Sequence, residues 1–420
     1  MTTKATALEP SDRAHPYWQR NLWVCVAGSF TTIIAMTLLL PFLPVYVEQL
    51  GVREPRAVAQ WAGIAYGATF MTAAIVAPLW GRLSDRYGRK IMLIRASLGM
   101  AIAMGLMGMA QSVWQLVVLR LLAGFLGGFA SGSMLLVAAQ APKAKSGWAL
   151  GIMSSGIMAG NLVGPLVGGT MPNLIGIRAT FLYAGGSIFL AFLATLFLIK
   201  EEHRETEGSS TAPVVPLGGR IDRRAVTAML AVGILLMVCN MSIEPIITIF
   251  VAEFVAPRDV TLVAGITMSA AALGSIVSAT YLGRLADRYG HWNVIIISIF
   301  AAAALLVPQA YVTAAWQIVL LRLLMGVALG GLLPCITSVI RHSVPDTHTG
   351  RILGLSTSSQ YLGQVAGPVA GGFFGGHFGM RSVFLGTCCL MAMGGVFTCF
   401  AKPRSSKDRP VATATPQGED

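Results

Sequence analysis

The chain has 420 residues, of which 55% are hydrophobic and only 11% charged, and its net charge is +12. Soluble domains carry roughly a quarter charged residues, so a soluble globular protein of this length is excluded. Nor is the basic excess a nucleic-acid footprint, because no basic–aromatic face accompanies it.

Twelve stretches are apolar and long enough to cross a bilayer, which takes about 20 helical residues each. They are predicted at 22–47, 60–80, 91–110, 115–138, 147–171, 179–199, 225–251, 261–283, 293–312, 316–340, 351–374 and 381–401. The first has no small-residue cleavage site and reads as an uncleaved span after a tail at 1–21. Spans one to six form a bundle over 22–200, and spans seven to twelve a second over 225–401. Between them, EEHRETEGSSTAPVVPLGGRIDRR (201–224) is charged at both ends and Gly/Ser/Pro-rich in the middle, a linker of little fixed structure. The tail at 402–420 reads the same way. The fold class is therefore an all-α membrane protein with twelve spans in two six-helix bundles.

The thirty Lys and Arg residues set the orientation. With the N-terminus inside, only Arg53, Arg56, Arg178, Arg258 and Arg381 fall in outer loops, and Arg95, Arg120 and Arg322 fall within spans. All the others fall on the inner side, so both termini are expected in the cytoplasm. Arg95, near the inner end of span 3, is expected to snorkel to the interface. The six cysteines lie in apolar spans without metal-ligand spacing and read as small buried hydrophobes.

The two bundles repeat one another. GRLSDRYGRK (81–90) returns as GRLADRYGHW (283–292). WQLVVLRLLAGFLGG (114–128) returns as WQIVLLRLLMGVALGG (316–331), which aligns Arg120 with Arg322 at an offset of 202. KSGWALGIMSSGIMAGNLVGPLVGG (145–169) returns at 348–372 with an offset of 203. Such parallel repeats are related by a pseudo-two-fold axis along the membrane normal.

Each motif has a physical reading. Gly81 removes a side chain where two helices approach, and Gly88 suits a turn of positive φ. Arg86, Arg89 and Lys90 hold the loop inside, while Asp85 is free to take an arginine or a helix N-terminus as partner. Asp287 and Arg288 repeat the pattern, but His291 and Trp292 stand where Arg89 and Lys90 do. In span 5, Gly160, Gly164 and Gly168 bare one helix face for close approach, and Pro165 removes a backbone hydrogen bond. Span 11 repeats the run with Gly363, Gly367, Pro368 and Gly371.

GRLSDRYGRK resembles the loop between spans 2 and 3 of the major facilitator superfamily. GNLVGPLVGG is similar to the span-5 motif of its drug:proton antiporters, and VVLRLLAG to the span-4 arginine motif of proton-coupled members. The resemblance covers about residues 18–401. It implies a multidrug exporter in a bacterial inner membrane, monomeric, without a cofactor and driven by the proton gradient. It also implies alternating access, with spans 1, 4, 7 and 10 around a central cavity. The loop residues Gly81, Asp85, Arg86, Gly88, Arg89, Asp287 and Arg288 would latch the halves in the outward-facing state; the alternative is that they only fix topology. Gly160, Gly164, Pro165, Gly168, Gly367 and Pro368 would serve the rocking contacts.

Of the eighteen Asp and Glu residues, Glu244 in CNMSIEPIITIF is the one placed inside a span, and an ionised acid there is costly. Pro245 follows it, so a bend is expected there. The matching first-half residue is Leu40. Glu244 is expected to pair with Arg322 or Arg120 in one state, the pair being broken by a proton or a cationic substrate; the alternative is a solvated acid at the outer surface. Span 1 has no acid, only Thr31, Thr32 and Thr37, so Thr31, Thr37 and Asn240 are the polar candidates for the cavity. The partners expected are a small amphipathic molecule, protons and lipid. The nearest rival is an uptake carrier for a metabolite or sugar, disfavoured by the Gly-Pro motif. A sensor would need an output domain, and an enzyme or ATP-driven pump would need a catalytic constellation or a nucleotide-binding loop.

Overall fold

A computed structural model of the chain describes residues 16–201 and 222–402, all of whose regular elements are helices. The tails and most of the 201–224 linker lie outside the described residues. In chain order the helices are α1 (Trp18–Thr37), α2 (Leu43–Gln49), α3 (Pro55–Tyr87), α4 (Arg89–Met107), α5 (Val113–Leu126), α6 (Phe129–Gln140), α7 (Ser146–Ile175) and α8 (Ile177–Leu198). The second half runs α9 (Arg223–Val251), α10 (Val260–Tyr289), α11 (His291–Ala310), α12 (Ala315–Leu329), α13 (Leu332–His342), α14 (Asp346–Phe378) and α15 (Met380–Ala401).

Each predicted span is present, three of them in two pieces. Span 1 breaks into α1 and α2 around a 3₁₀ turn at Leu40–Phe42. Pro41 and Pro44 cause this, since each lacks an N–H and crowds the preceding turn. Span 4 breaks into α5 and α6 at Gly127–Gly128, while span 10 divides into α12 and α13 only by a turn at Gly330–Gly331 whose backbone stays near helical values. The bend expected at Pro245 does not interrupt the helix: α9 runs unbroken through it. Eleven of the twelve spans are long and apolar enough to cross a membrane. The exception is α14, whose 33 residues are long enough but whose first half is rich in Ser, Thr and Gln.

The first and last described helices begin and end on one side of the bundle, here the near side; the loops at 51–54 and 252–256 lie on the far side. The halves meet through α3 with α14 and α7 with α10. On the far side these contacts are backbone to backbone. A Cβ at Gly63 would overlap the Pro368 carbonyl, one at Gly372 the Ala59 carbonyl, and one at Gly265 the Pro165 carbonyl. Thr261 donates to the Gly169 carbonyl at 3.0 Å, Ser269 to Leu162 at 2.7 Å, and Thr248 to Pro41 at 3.0 Å. The near ends of the same four helices carry Gly81, Gly147, Gly151, Gly283, Gly350 and Gly354, and none of these has an atom within 4 Å of where a Cβ would lie. The molecule is therefore closed on the far side and open on the near side.

Candidate functional site

Four side chains from four spans converge between the halves. The helix α9 continues through Pro245 and carries Glu244 on it. Its Oε2 is buried and has no hydrogen-bond partner. Arg322 of α12 is 2% exposed, and its Nε and Nη2 are likewise buried without partners. Each is the charged group whose field acts on the other, yet they do not hydrogen-bond. A carboxylate and a guanidinium withdrawn from water each cost several kcal/mol unless compensated, and no hydrogen bond compensates these atoms.

Arg120 of α5 is 3% exposed and is tied to α3 through two of its nitrogens. Its Nε donates to the Ala65 carbonyl at 2.9 Å and its Nη2 to Tyr66 at 3.4 Å, both on α3. Thr69 returns a hydrogen bond to the Arg120 carbonyl at 3.1 Å. The Arg120 guanidinium lies 5.7 Å from the ring centre of Tyr66. Tyr66 in turn feels the charge of Glu244 from across the interface between the halves. The sequence offered little to single out Tyr66; its only signal is a tyrosine in the Ala/Gly-rich stretch AGIAYGATF.

The polar candidates divide. Asn240 lies one turn before Glu244 on α9 and is half-buried. Thr31 and Thr37 spend their hydroxyls on their own helix, on the Ala27 carbonyl at 2.9 Å and the Ile33 carbonyl at 2.8 Å. Thr37 also lies where a Cβ at Gly164 would go, which makes it a packing residue. Leu40, the first-half counterpart of Glu244, is 6% exposed in its 3₁₀ turn.

In the span-5 run, Gly160, Gly164 and Gly168 all face span 1: a Cβ would meet Ile33, Thr37 and the Leu38 carbonyl respectively. Gly363, Gly367 and Gly371 of α14 face α9 in the same way, at Met237, Met241 and Ser242. Pro165 and Pro368 lie on the other face of each helix, toward the opposite half.

The repeated loops are not engaged with one another. Asp85 is exposed and has no ion pair among the described residues. Gly81 has open space around it rather than an approaching helix, because the near side is open. Gly88 has φ 91° and caps α3 while starting α4; Gly290 does the same in the second half. Arg86 and Arg288 each lie 5.3 Å over the tyrosine that follows them. Arg89 donates through Nη1 to the Leu135 carbonyl at 2.6 Å. Glu201, unremarked in the sequence, accepts from the Arg89 and Lys90 backbone N–H groups at 3.1 and 2.6 Å, an anion at the α4 N-terminus. In the second half Asp287 is 3.7 Å from His291.

Two expectations fail. Arg95 does not snorkel; its guanidinium turns to the carbonyls at the end of α5. Of the cysteines, Cys25, Cys239 and Cys335 are buried, but Cys389 and Cys399 are exposed on the outer face of α15.

The chain matches the family model described as Major Facilitator Superfamily over residues 25–256 and 255–419. It is 38% identical over 383 residues to the multidrug resistance protein MdtG of Salmonella typhimurium and to that of Salmonella paratyphi A, covering 91% of this chain and 95% of each relative. Among solved structures it is similar to a bacterial homologue of the human lysosomal transporter Spinster in an inward-facing, unoccupied conformation. That match has a TM-score of 0.74 and 14% identity and covers 93% of this chain and 98% of the other. It is also similar to a D-xylose–proton symporter, with a TM-score of 0.73 and 16% identity over 92% of this chain and 98% of the other. With both bundles matched and the repeated loops in their places, the chain belongs to the major facilitator superfamily.

Proposed function

We propose that the protein is a secondary transporter that exports small amphipathic compounds in exchange for protons, by alternating access between its two halves. The observation that carries the coupling is the Glu244–Arg322 pair. Arg322 is buried and Glu244 half-buried, and the buried atoms Oε2, Nε and Nη2 are all unpartnered. A proton entering from the far side neutralises Glu244 and frees Arg322, and deprotonation restores their attraction. A cationic substrate competes with the proton for the same carboxylate, which is what exchange requires. Arg322 is the better partner than Arg120, whose Nε and Nη2 already donate to α3. The kinship with MdtG supports drug export, and the basic near-side loops support a cytoplasmic near side. The structure then corresponds to the inward-open state of a monomer that uses no cofactor.

The test uses inverted vesicles loaded with a pH-sensitive dye, energised, and given lipophilic cations and neutral drugs. Wild type should discharge the gradient and Glu244→Gln should not. Discharge by both would remove Glu244 from the mechanism. No discharge by wild type with any compound, the protein being folded and inserted, would favour uptake of a metabolite over exchange.

A further inference from the structure

The two copies of the span-4 sequence differ by one residue at a place where the structure also differs. Their offset is 202 from Trp114/Trp316 through Gly124/Gly326 and becomes 203 at Gly127–Gly128/Gly330–Gly331. The first half thus lacks one residue between Gly124 and Gly127. In a continuous helix that deletion would turn everything beyond it by about 100° and rotate the buried face of α6 away from its neighbours. The first half breaks instead. Gly127 is extended, with φ −66° and ψ −170°, and Gly128 adopts φ 105°. In the second half Gly330 and Gly331 stay near helical values, at φ −61° and φ −95°. There the Gly330 N–H still donates to Gly326 at 3.0 Å.

A helix broken at bilayer depth frees carbonyls that no water is present to satisfy. Here they are collected. Arg95 Nη1 lies 3.4 Å from the Phe125 carbonyl and 3.2 Å from Leu126, and Nη2 lies 3.4 Å from Gly127. Trp80 Nε1 donates to the Phe125 carbonyl at 2.8 Å. The guanidinium sits 3.6 Å over the Trp80 ring, which stands edge-on to Phe125 at 5.5 Å. The second half has neither donor: Leu282 and Ile297 occupy the corresponding positions, and Ile297 is 66% exposed.

We infer that Arg95 and Trp80 are positioning residues for transport, holding span 4 in a broken form whose glycine pair is the joint about which α6 swings at the near-side mouth. The joint belongs to the first half alone, so the two halves open by different means. Straightening would return the Phe125–Gly127 carbonyls to N–H groups of α6 and release Arg95, so the lock favours the near-open form. This rests on the alternating-access reading, but the distance measurement that tests it needs neither substrate nor proton gradient.

Spin labels are placed at Ala139→Cys on α6 and Gly354→Cys on α14, with Cys388, Cys389 and Cys399 replaced by alanine. Distances across the near mouth are then compared in full-length protein carrying Arg95→Met, Trp80→Phe or Gly128→Ala. Gly128→Ala penalises the φ 105° conformation without touching Arg95. Arg95→Met and Gly128→Ala should both move the population toward shorter distances, with Trp80→Phe between them and wild type. Maximal transport rate should also fall about tenfold, as for a conformational step. The double variant Arg95→Met/Gly128→Ala should go no further than either single change, since both act on one joint. Unchanged distances in Arg95→Met, a shift in Arg95→Met but not in Gly128→Ala, or full additivity would each overturn the inference. If Arg95→Met fails to insert, Gly128→Ala and Trp80→Phe carry the same test.

Discussion

Arg120 and Arg322 occupy the same Leu-Arg-Leu-Leu sequence at the same depth in two copies of one bundle. Their surroundings are nonetheless opposite. Arg120 is tied to two carbonyls of α3, while Arg322 keeps Nε and Nη2 unpartnered beside an acid. What separates them is the helix across the cavity, which presents Leu40 in one half and Glu244 in the other. A duplicated motif sets how deep a charge lies; a single unduplicated residue decides whether that charge is structural or reactive.

The comparison can be broken or sharpened by substitution. The largest effect is expected for Arg322→Met, which leaves Glu244 as an uncompensated buried charge at a cost of about 3–5 kcal/mol. Thermal unfolding in detergent should show the loss, and adding Glu244→Gln should restore stability without restoring exchange. Arg120→Met comes next. It removes hydrogen bonds to carbonyls that already have helical donors, so it should cost about 1.5–3 kcal/mol and leave proton exchange coupled. Equal losses of exchange in the two arginine variants would erase the distinction drawn here. Moving the acid to the first half, with Leu40→Glu in a Glu244→Gln background, should not rescue exchange, because Nε and Nη2 of Arg120 are tied to α3. Recovered dye discharge would mean that Arg120 changes partners during the cycle. Smallest of all, Asp85→Asn should alter thermal stability by no more than about 0.5 kcal/mol, since Asp85 is exposed and unpaired in the near-open form. A larger change would place it in a contact that this form lacks.

Much of this was legible in the sequence. The spans, the bundles and the repeat follow from long apolar stretches and matched motifs, and Glu244 stood out as an acid in the middle of one. The partners of the arginines were not legible, because backbone carbonyls carry no sequence signature. Arg120 and Arg322 look alike in their own motif, and the α3 carbonyls that hold Arg120 could not be read from it. Arg95 was misread for the same reason: near a span end snorkelling is the usual outcome, but the broken end of α5 offered it carbonyls closer at hand. The break itself was foreshadowed by the change of offset from 202 to 203, a signal that has meaning only once helical phase is considered. The capping role of Glu201 was hidden because it spans 112 residues of sequence.

The polar character of α14 bears on how the protein is made. A span that enters the bilayer on its own must be apolar enough to leave the translocon unaided, and α14 is the one span among the twelve that falls short. Its Ser356 and Ser359 are buried against the protein, and Gly363, Gly367 and Gly371 fit against α9 and Gly372 and Gly376 against α3. It therefore depends on partners already in the membrane: α9, inserted earlier from its own half, and α3, from the other. Assembly of the second bundle would then wait on the first, which makes the order of synthesis part of the fold. A variant that loosens α3 would be expected to show its defect as failed insertion of a helix almost three hundred residues downstream.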